Sequence, residues 1–201
     1  MKIVCATGNA HKVEEFQSLF DNTDLGEGIE VHSAKLLGGM PDVDENADSF
    51  LGNARLKAES LCVAASAKGA WVLADDSGLA VDYLHGAPGV YSARYAGLHA
   101  TDSENVEKLL GALEGVELGQ RQAKFVCALY LIDPNKRVYQ AEGYCHGLIA
   151  HEVRGAEGFG YDPVFVPQGY ESTFGELGSE IKDSMSHRAE AVASLIDQLR
   201  S

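Results

Sequence analysis

The stretch VLADDSGLAVD, residues 72–82, sets two adjacent aspartates into what otherwise reads as buried strand. Val72, Leu73 and Ala74 lead in, and Leu79, Ala80 and Val81 lead out. Ser77-Gly78 reads as a turn separating two strands, Trp71 to Asp75 and Leu79 to Tyr83. Consecutive side chains on a strand point to opposite faces. Asp75 and Asp76 therefore cannot share one solvated face, and at least one must point at something that tolerates a carboxylate.

The chain around this stretch mixes helices with strands. Residues 2 to 6 read as a strand, and a helix follows from Asn9 to Phe20 with Val13, Phe16, Gln17 and Phe20 on one face. Ile29 to Ala34 is a second strand, followed by the acidic loop LLGGMPDVDENADSF (36–50). A long helix is expected from Asn46 to Ala67, where Ala47, Phe50, Leu51, Ala54, Ala58, Leu61, Cys62 and Ala65 form a core-facing stripe. Thr101 to Leu113 reads as a helix with a good start. Ala123 to Ile132 and Arg137 to Gly147 read as paired strands about a DPNK turn, EGFGYDPVFV (157–166) returns to the sheet, and Ser186 to Leu199 is a final helix. The expected class is α/β (mixed α+β), a mixed sheet flanked by helices in one domain over 1–201, without repeats.

Composition narrows the function. No apolar run approaches the ~18 residues needed to span a membrane, and the apolar start Ile3 to Ala6 is too short for a signal-peptide core. Cys5, Cys62, Cys127 and Cys145 are far apart and form no C-x-x-C, so buried thiols in a reducing cytoplasm are expected rather than a metal or disulfide role. A net charge of −14 repels polyphosphate backbones and argues against DNA or RNA polymers as partners. A small anion held by a few local cations remains compatible with it.

Four places carry unusual polar chemistry. In ATGNAHK (6–12) a strand ends in a tight turn and a helix begins with Lys12 in its first turn. Free N–H groups there suit a phosphate, although Thr7 or Asn9 could simply cap the helix. In the acidic loop, Glu45 is expected at the entry of the long helix, with Lys57 on the same side as Asn53 one turn earlier. The third place is Asp75-Asp76 itself. In SMSHRAEA (184–191), Ser186 is a good cap, but His187 and Arg188 then lie in the first turn, where cations oppose the helix dipole unless an anion binds. Carboxylates on separate loops can hold Mg²⁺, lysines and helix starts can grip phosphoryl oxygens, and Phe159 and Tyr161 beside glycines can stack on a flat ring with Asp162 as an acceptor. A nucleoside triphosphate fits every part.

Five stretches in order, ATGNAHKVEEF (6–16), NARLKA (53–58), ADDSGLAVDYLHGAPGVYSARYAG (74–97), GFGYDPVF (158–165) and SHRAEA (186–191), resemble the Ham1/RdgB-like inosine triphosphate pyrophosphatase family over nearly the whole chain. The resemblance implies a twisted mixed sheet in two lobes with a central cleft, a homodimer, and Mg²⁺-dependent hydrolysis of ITP, dITP and XTP to the monophosphate and pyrophosphate. It implies Asp76 as the proton acceptor, Lys57 as an active-site lysine near the phosphates, and Glu45 with Asp76 as the metal ligands. It also implies substrate binding by Thr7, Gly8, Asn9, Ala10, His11, Lys12, Ser77, Phe159, Gly160, Tyr161, Asp162, Lys182, His187 and Arg188.

The chain departs from that family in two places: Gly52 stands where an acid is common, and Asn46-Ala47 stands where Thr-Gly is common. Activity is expected to survive because Glu45 remains. A Maf-like nucleotide pyrophosphatase and a non-hydrolytic nucleotide-binding regulator are the rival readings. A haloacid-dehalogenase-type phosphatase is disfavoured, because Asp75-Asp76-Ser77 is not a D-x-D nucleophile loop.

Overall fold

The computed structural model describes residues 1–25, 28–178, 181–182 and 185–200. Six strands, β1 (Lys2–Cys5), β2 (Glu30–Ser33), β3 (Trp71–Val81), β4 (Gln122–Ile132), β5 (Val138–Ile149) and β6 (Phe165–Pro167), form one sheet in the order β2-β1-β3-β4-β5-β6. β1 pairs parallel with β2 and with β3, and β5 pairs antiparallel with β6, so the sheet is mixed as expected. The described helices are α1 (Ala10–Asp21), α2 (Phe50–Ser66), α3 (Asp102–Ala112), the single turn α4 (Phe174–Leu177) and α5 (His187–Leu199). None is long and apolar enough to cross a membrane.

The chain divides into two compact units: Met1–Asp76, Cys127–Gly143 and Glu190–Ser201 form the first, and Ser77–Val126 and Tyr144–Ala189 the second. Strand alternation organises the first. Ile3, Cys5, Leu73, Cys127, Leu129 and Leu131 share a core with Phe16 and Phe20 of α1 and with Leu195 and Ile196 of α5. The intervening Val4, Val72, Ala74, Tyr130 and Ile132 belong to another core, with Ala54, Ala58 and Leu61 of α2. Both faces of these strands are covered, which is why β4 reads as an unbroken apolar run. Each fully buried Phe or Leu contributes roughly 1.5–3 kcal/mol to holding the layers together.

The second unit has its own core of Leu79, Val81, Leu109, Phe125, Cys145, Phe165 and Phe174. Arg121 is buried inside it and donates to the carbonyls of Leu113, Val116, Ile149 and Ala150. A cation with no carboxylate partner in those bonds is tolerated because its planar fork meets oxygens that would otherwise be short of donors.

Two elements differ from the sequence reading. The expected turn at Ser77-Gly78 does not form, and β3 runs unbroken from Trp71 to Val81. Apolar residues on either side continue into cores, so pairing along the sheet outweighs the local turn preference of Ser-Gly. α2 begins at Phe50, not Asn46, because Ser49 caps it by accepting from the Gly52 N–H.

Candidate active site

Parity along β3 separates the paired aspartates. Asp75 follows Leu73 onto the α1 face, where its carboxylate, only 3% exposed, lies 2.8 Å from Lys12 Nζ. Asp76 follows Val72 and Ala74 onto the α2 face, and its Oδ1 lies 3.0 Å from Lys57 Nζ. The same ammonium is 2.9 Å from Glu45 Oε2, and Asn53 Nδ2 donates to Asp76 Oδ2 at 3.2 Å. Lys57 and Asn53 stand one turn apart on α2, so one helical face presents an ammonium and an amide to one carboxylate. Glu45 is not at the helix entry. It precedes the cap by four residues, in an irregular segment, and reaches back to Lys57 from there.

Electrostatics here are set by burial and by this lysine. Burial raises the Asp76 carboxyl pKa, and although the Lys57 charge and the bonds from Lys57 and Asn53 pull it down, it remains above the ordinary aspartate value. Burial by itself would lower the Lys57 pKa, but Asp76, Glu45 and Asp75 outweigh it and hold the ammonium above its ordinary value. Glu45 and Asp76 are hard oxygen donors gathered around one cation. Among the described residues no group of three or more acidic, histidine or cysteine ligands forms a metal cage. Two carboxylates alone fit Mg²⁺, which keeps waters and takes substrate phosphate oxygens for the remainder.

The β1–α1 turn of the same unit is exposed from Gly8 to His11. Asn9 caps α1, its Oδ1 accepting from His11 N–H at 2.9 Å, while Thr7 Oγ1 accepts from Asn9 N–H at 3.1 Å. Capping is thus realised in these bonds, and the Ala10 and Lys12 N–H groups lie in the same first turn.

In the second unit Ser77, Phe159, Gly160, Tyr161, Asp162, Lys182, His187 and Arg188 all line one pocket of about 150 Å³. That is below the ~300–1,000 Å³ of whole-ligand sites and suits one part of a ligand, such as a base. A larger hollow of about 480 Å³ in this unit, lined by Lys124, His146 and Tyr170 among others, holds none of the candidate residues. Within the pocket Asp162 is buried, accepting from Phe159 N–H at 2.8 Å and lying 2.5 Å from Lys182 Nζ. Gly158 is obligatory beside it, because a Cβ there would lie 2.1 Å from Asp162 Oδ2. The Asp102 carboxylate at the start of α3 accepts from Gly160 N–H at 2.7 Å.

The two aromatics part company. Phe159 is 61% exposed, with Lys182 Nζ 4.1 Å from its ring centroid, and is free to stack. Tyr161 is buried and its hydroxyl donates to Ser92 O at 2.8 Å, so it is not the stacking residue the sequence led us to expect. Desolvation, with Tyr95 and Asp102 nearby, pushes its pKa far up and keeps that donor protonated. The first turn of α5 also differs from an exposed cationic turn. Ser186 accepts from Ala189 N–H as expected, but His187 and Arg188 are buried, and His187 stacks on Phe125 at 5.3 Å.

Residues 3–198 match the model of the Ham1 family. The chain belongs to the Ham1 family. Among its relatives, the dITP/XTP pyrophosphatase of Opitutus terrae is 49% identical over 199 residues, 98% of each chain. That of Bacillus subtilis is 43% identical over 192 residues, 96% of this chain and 93% of its own. The Staphylococcus aureus Ham1 protein structure is similar with a TM-score of 0.85 at 37% identity, covering 100% of this chain and 98% of that one.

Asn53 and Asp102 carry no role in the sequence reading. Asn53 was detectable as the residue one turn before Lys57. Asp102 reads only as an acid at a helix start, and nothing in the sequence places it beside Gly160, 58 residues away.

Proposed function

We propose that the protein is a nucleoside-triphosphate pyrophosphatase that hydrolyses non-canonical purine nucleotides, ITP, dITP and XTP, to the monophosphate and pyrophosphate. The observation that carries this reading is Asp76 held by Lys57 and Asn53 beside Glu45, in a chain whose full-length relatives are named dITP/XTP pyrophosphatases. The first unit takes the phosphates: Asp76 accepts the proton of the attacking water, Lys57 and Lys12 offset phosphoryl charge, and the turn Thr7, Gly8, Asn9, Ala10 and His11 offers backbone donors. Water attacks the α-phosphorus, the bond from that phosphorus to the bridging oxygen breaks, and pyrophosphate leaves with the electron pair. Glu45 and Asp76 would hold Mg²⁺, which when bound supplies stabilisation of charge on the phosphoryl oxygens.

The second unit takes the base. Phe159 stacks on it, and Lys182, His187 and Arg188, with the backbone of Gly160 to Asp162 and the Ser77 hydroxyl, supply polar groups. A 6-keto purine presents an O6 acceptor and an N1–H donor, whereas adenine presents the reverse. Groups matched to the first are left unpaired by ATP, which discriminates strongly.

We infer cytoplasmic action as a homodimer. Four cysteines far apart in the sequence, with no C-x-x-C, suit a reducing compartment, and Tyr83, Tyr91 and Leu98 leave apolar surface exposed in the second unit. Sedimentation at two or more protein concentrations checks the dimer, and a monomer throughout would refute it.

The decisive experiment is a panel of ITP, XTP, dITP, GTP and ATP with Mg²⁺, quantifying monophosphate and pyrophosphate together. Equal amounts of both from ITP, dITP and XTP, with ATP far slower, are expected. Binding without turnover would favour a regulator, and preference for other nucleotides a Maf-like specificity.

A further inference from the structure

Residues 40–47, the segment carrying Glu45, have no regular structure of their own, yet Glu45 must meet Lys57 and Asp76. The structure shows what holds it. Asn53, 1% exposed, accepts from Ala47 N–H through Oδ1 at 3.0 Å and donates to Asp76 through Nδ2 at 3.2 Å. An amide carries an acceptor and a donor on one planar end, which a carboxylate or a hydroxyl cannot reproduce in this arrangement. Its backbone N–H also bonds Ser49 O at 3.1 Å, so the residue is fixed within the first turn of α2.

Next to it, Gly52 occupies the third position of α2. A Cβ there would lie 2.6 Å from Ala47 Cβ and 3.1 Å from Ser49 Oγ, the oxygen that caps the helix. The Ala47 methyl therefore fills the space that a residue-52 side chain would need. The departures at 47 and 52 are one steric fact: a side chain at 47 requires glycine at 52.

We propose that Asn53, together with the interlocked Ala47–Gly52 contact, is a clamp that positions Glu45 against Asp76, making Asn53 a positioning residue for the pyrophosphatase reaction. The catalytic part of this inference rests on the reading above. The clamp itself does not: it is a set of contacts in the free protein, all within the first unit.

Two activity-free measurements test it. In the first, melting temperatures are taken without nucleotide or metal for wild type, Ala47→Gly, Gly52→Ala and the double variant. Alanine is a better helix former than glycine, so where residue 52 has room, Gly52→Ala should raise Tm by about 2–4 °C. That rise is expected when Gly52→Ala is added to Ala47→Gly, and a fall is expected when it is made alone, with Ala47 kept. An equal rise in both would overturn the interlock. In the second, hydrogen exchange of the Ala47 amide should speed by on the order of tenfold or more in Asn53→Ala and stay as in wild type in Asn53→Asp, which keeps the acceptor. Exchange unchanged in Asn53→Ala overturns the clamp.

The positioning role is then read kinetically. Both variants lose the donor to Asp76, so kcat for ITP should fall by on the order of tenfold or more while KM moves by no more than about threefold. A wild-type kcat in Asn53→Asp overturns positioning. If wild type itself fails to turn over ITP, the functional reading falls, and melting and exchange still decide the clamp.

Discussion

Asp75 and Asp76 are consecutive on β3, yet each is met by a different lysine on a different face, Asp75 by Lys12 at 2.8 Å and Asp76 by Lys57 at 3.0 Å. The two acids should fail in different ways when neutralised. Asp76→Asn should lower kcat for ITP by about 10²-fold or more, the loss expected for a general base. Its raised pKa means that the folded protein disfavours its ionised form. That contribution is fully present below the unfolded pKa and lost as pH rises through the folded one. Neutral Asn removes the cost, so Tm at pH 7 should be level or higher. Asp75→Asn should instead lower stability by about 1–3 kcal/mol, because the Lys12 ammonium loses its buried charged partner and keeps only a weaker bond to a neutral amide oxygen. Thermal melts beside kinetics separate the two; identical behaviour would refute the division.

Lys57→Met tests the electrostatics. In the metal-free protein burial holds the Asp76 carboxyl above the ordinary aspartate value of 3.8, and the acidic limb of kcat/KM reports that group. Removing Lys57 takes away both its charge and its hydrogen bond, which lower that pKa, so the limb should move to still higher pH. A shift to lower pH contradicts the assignment of Asp76 as the base.

Glu45→Gln should raise the Mg²⁺ concentration giving half-maximal rate, because a neutral amide is a poorer ligand for a hard cation. Titration of activity against Mg²⁺ at fixed ITP measures it. An unchanged requirement would shift the ligand role to Asp42, Asp44 or Asp48 of the same segment.

Phe159 and Tyr161 give opposite expectations. Phe159→Ala removes an exposed ring and should leave Tm unchanged while raising KM for ITP about tenfold, near the ~1–3 kcal/mol that one base–aromatic stack contributes. Tyr161→Phe keeps the buried ring but deletes the donor to Ser92 O. It should lower stability by about 1 kcal/mol with a small effect on KM. Melting curves and initial rates on both variants decide it.

Much of the fold was legible because the apolar pattern is dense. The short apolar runs of β1 and β4 and the Phe16–Phe20 spacing of α1 place those elements. The errors fell where a local preference met a tertiary demand. Ser77-Gly78 has turn chemistry, but the sheet holds it extended. Asn46 to Asp48 could have extended α2, but Ser49 caps it later. At the site, strand parity separated Asp75 from Asp76, and the pairing of Asp76 with Lys57 came from the family resemblance. The burial of Tyr161 and the bond from Gly160 to Asp102 came from neither, because both depend on contacts far apart in sequence.

Each lysine singled out by the sequence, Lys12, Lys57 and Lys182, lies within 3.0 Å of a carboxylate in the free protein. A chain of net charge −14 whose site lysines are already neutralised offers an approaching polyanion little long-range attraction. Added salt then screens repulsion rather than attraction, the reverse of a nucleotide site lined with idle cations. Going from about 0.01 M to about 0.15 M ionic strength shortens the screening distance from about 30 Å to about 8 Å. Over that range kcat/KM should hold or rise, with the lysines exchanging their carboxylates for phosphate only after the substrate has arrived.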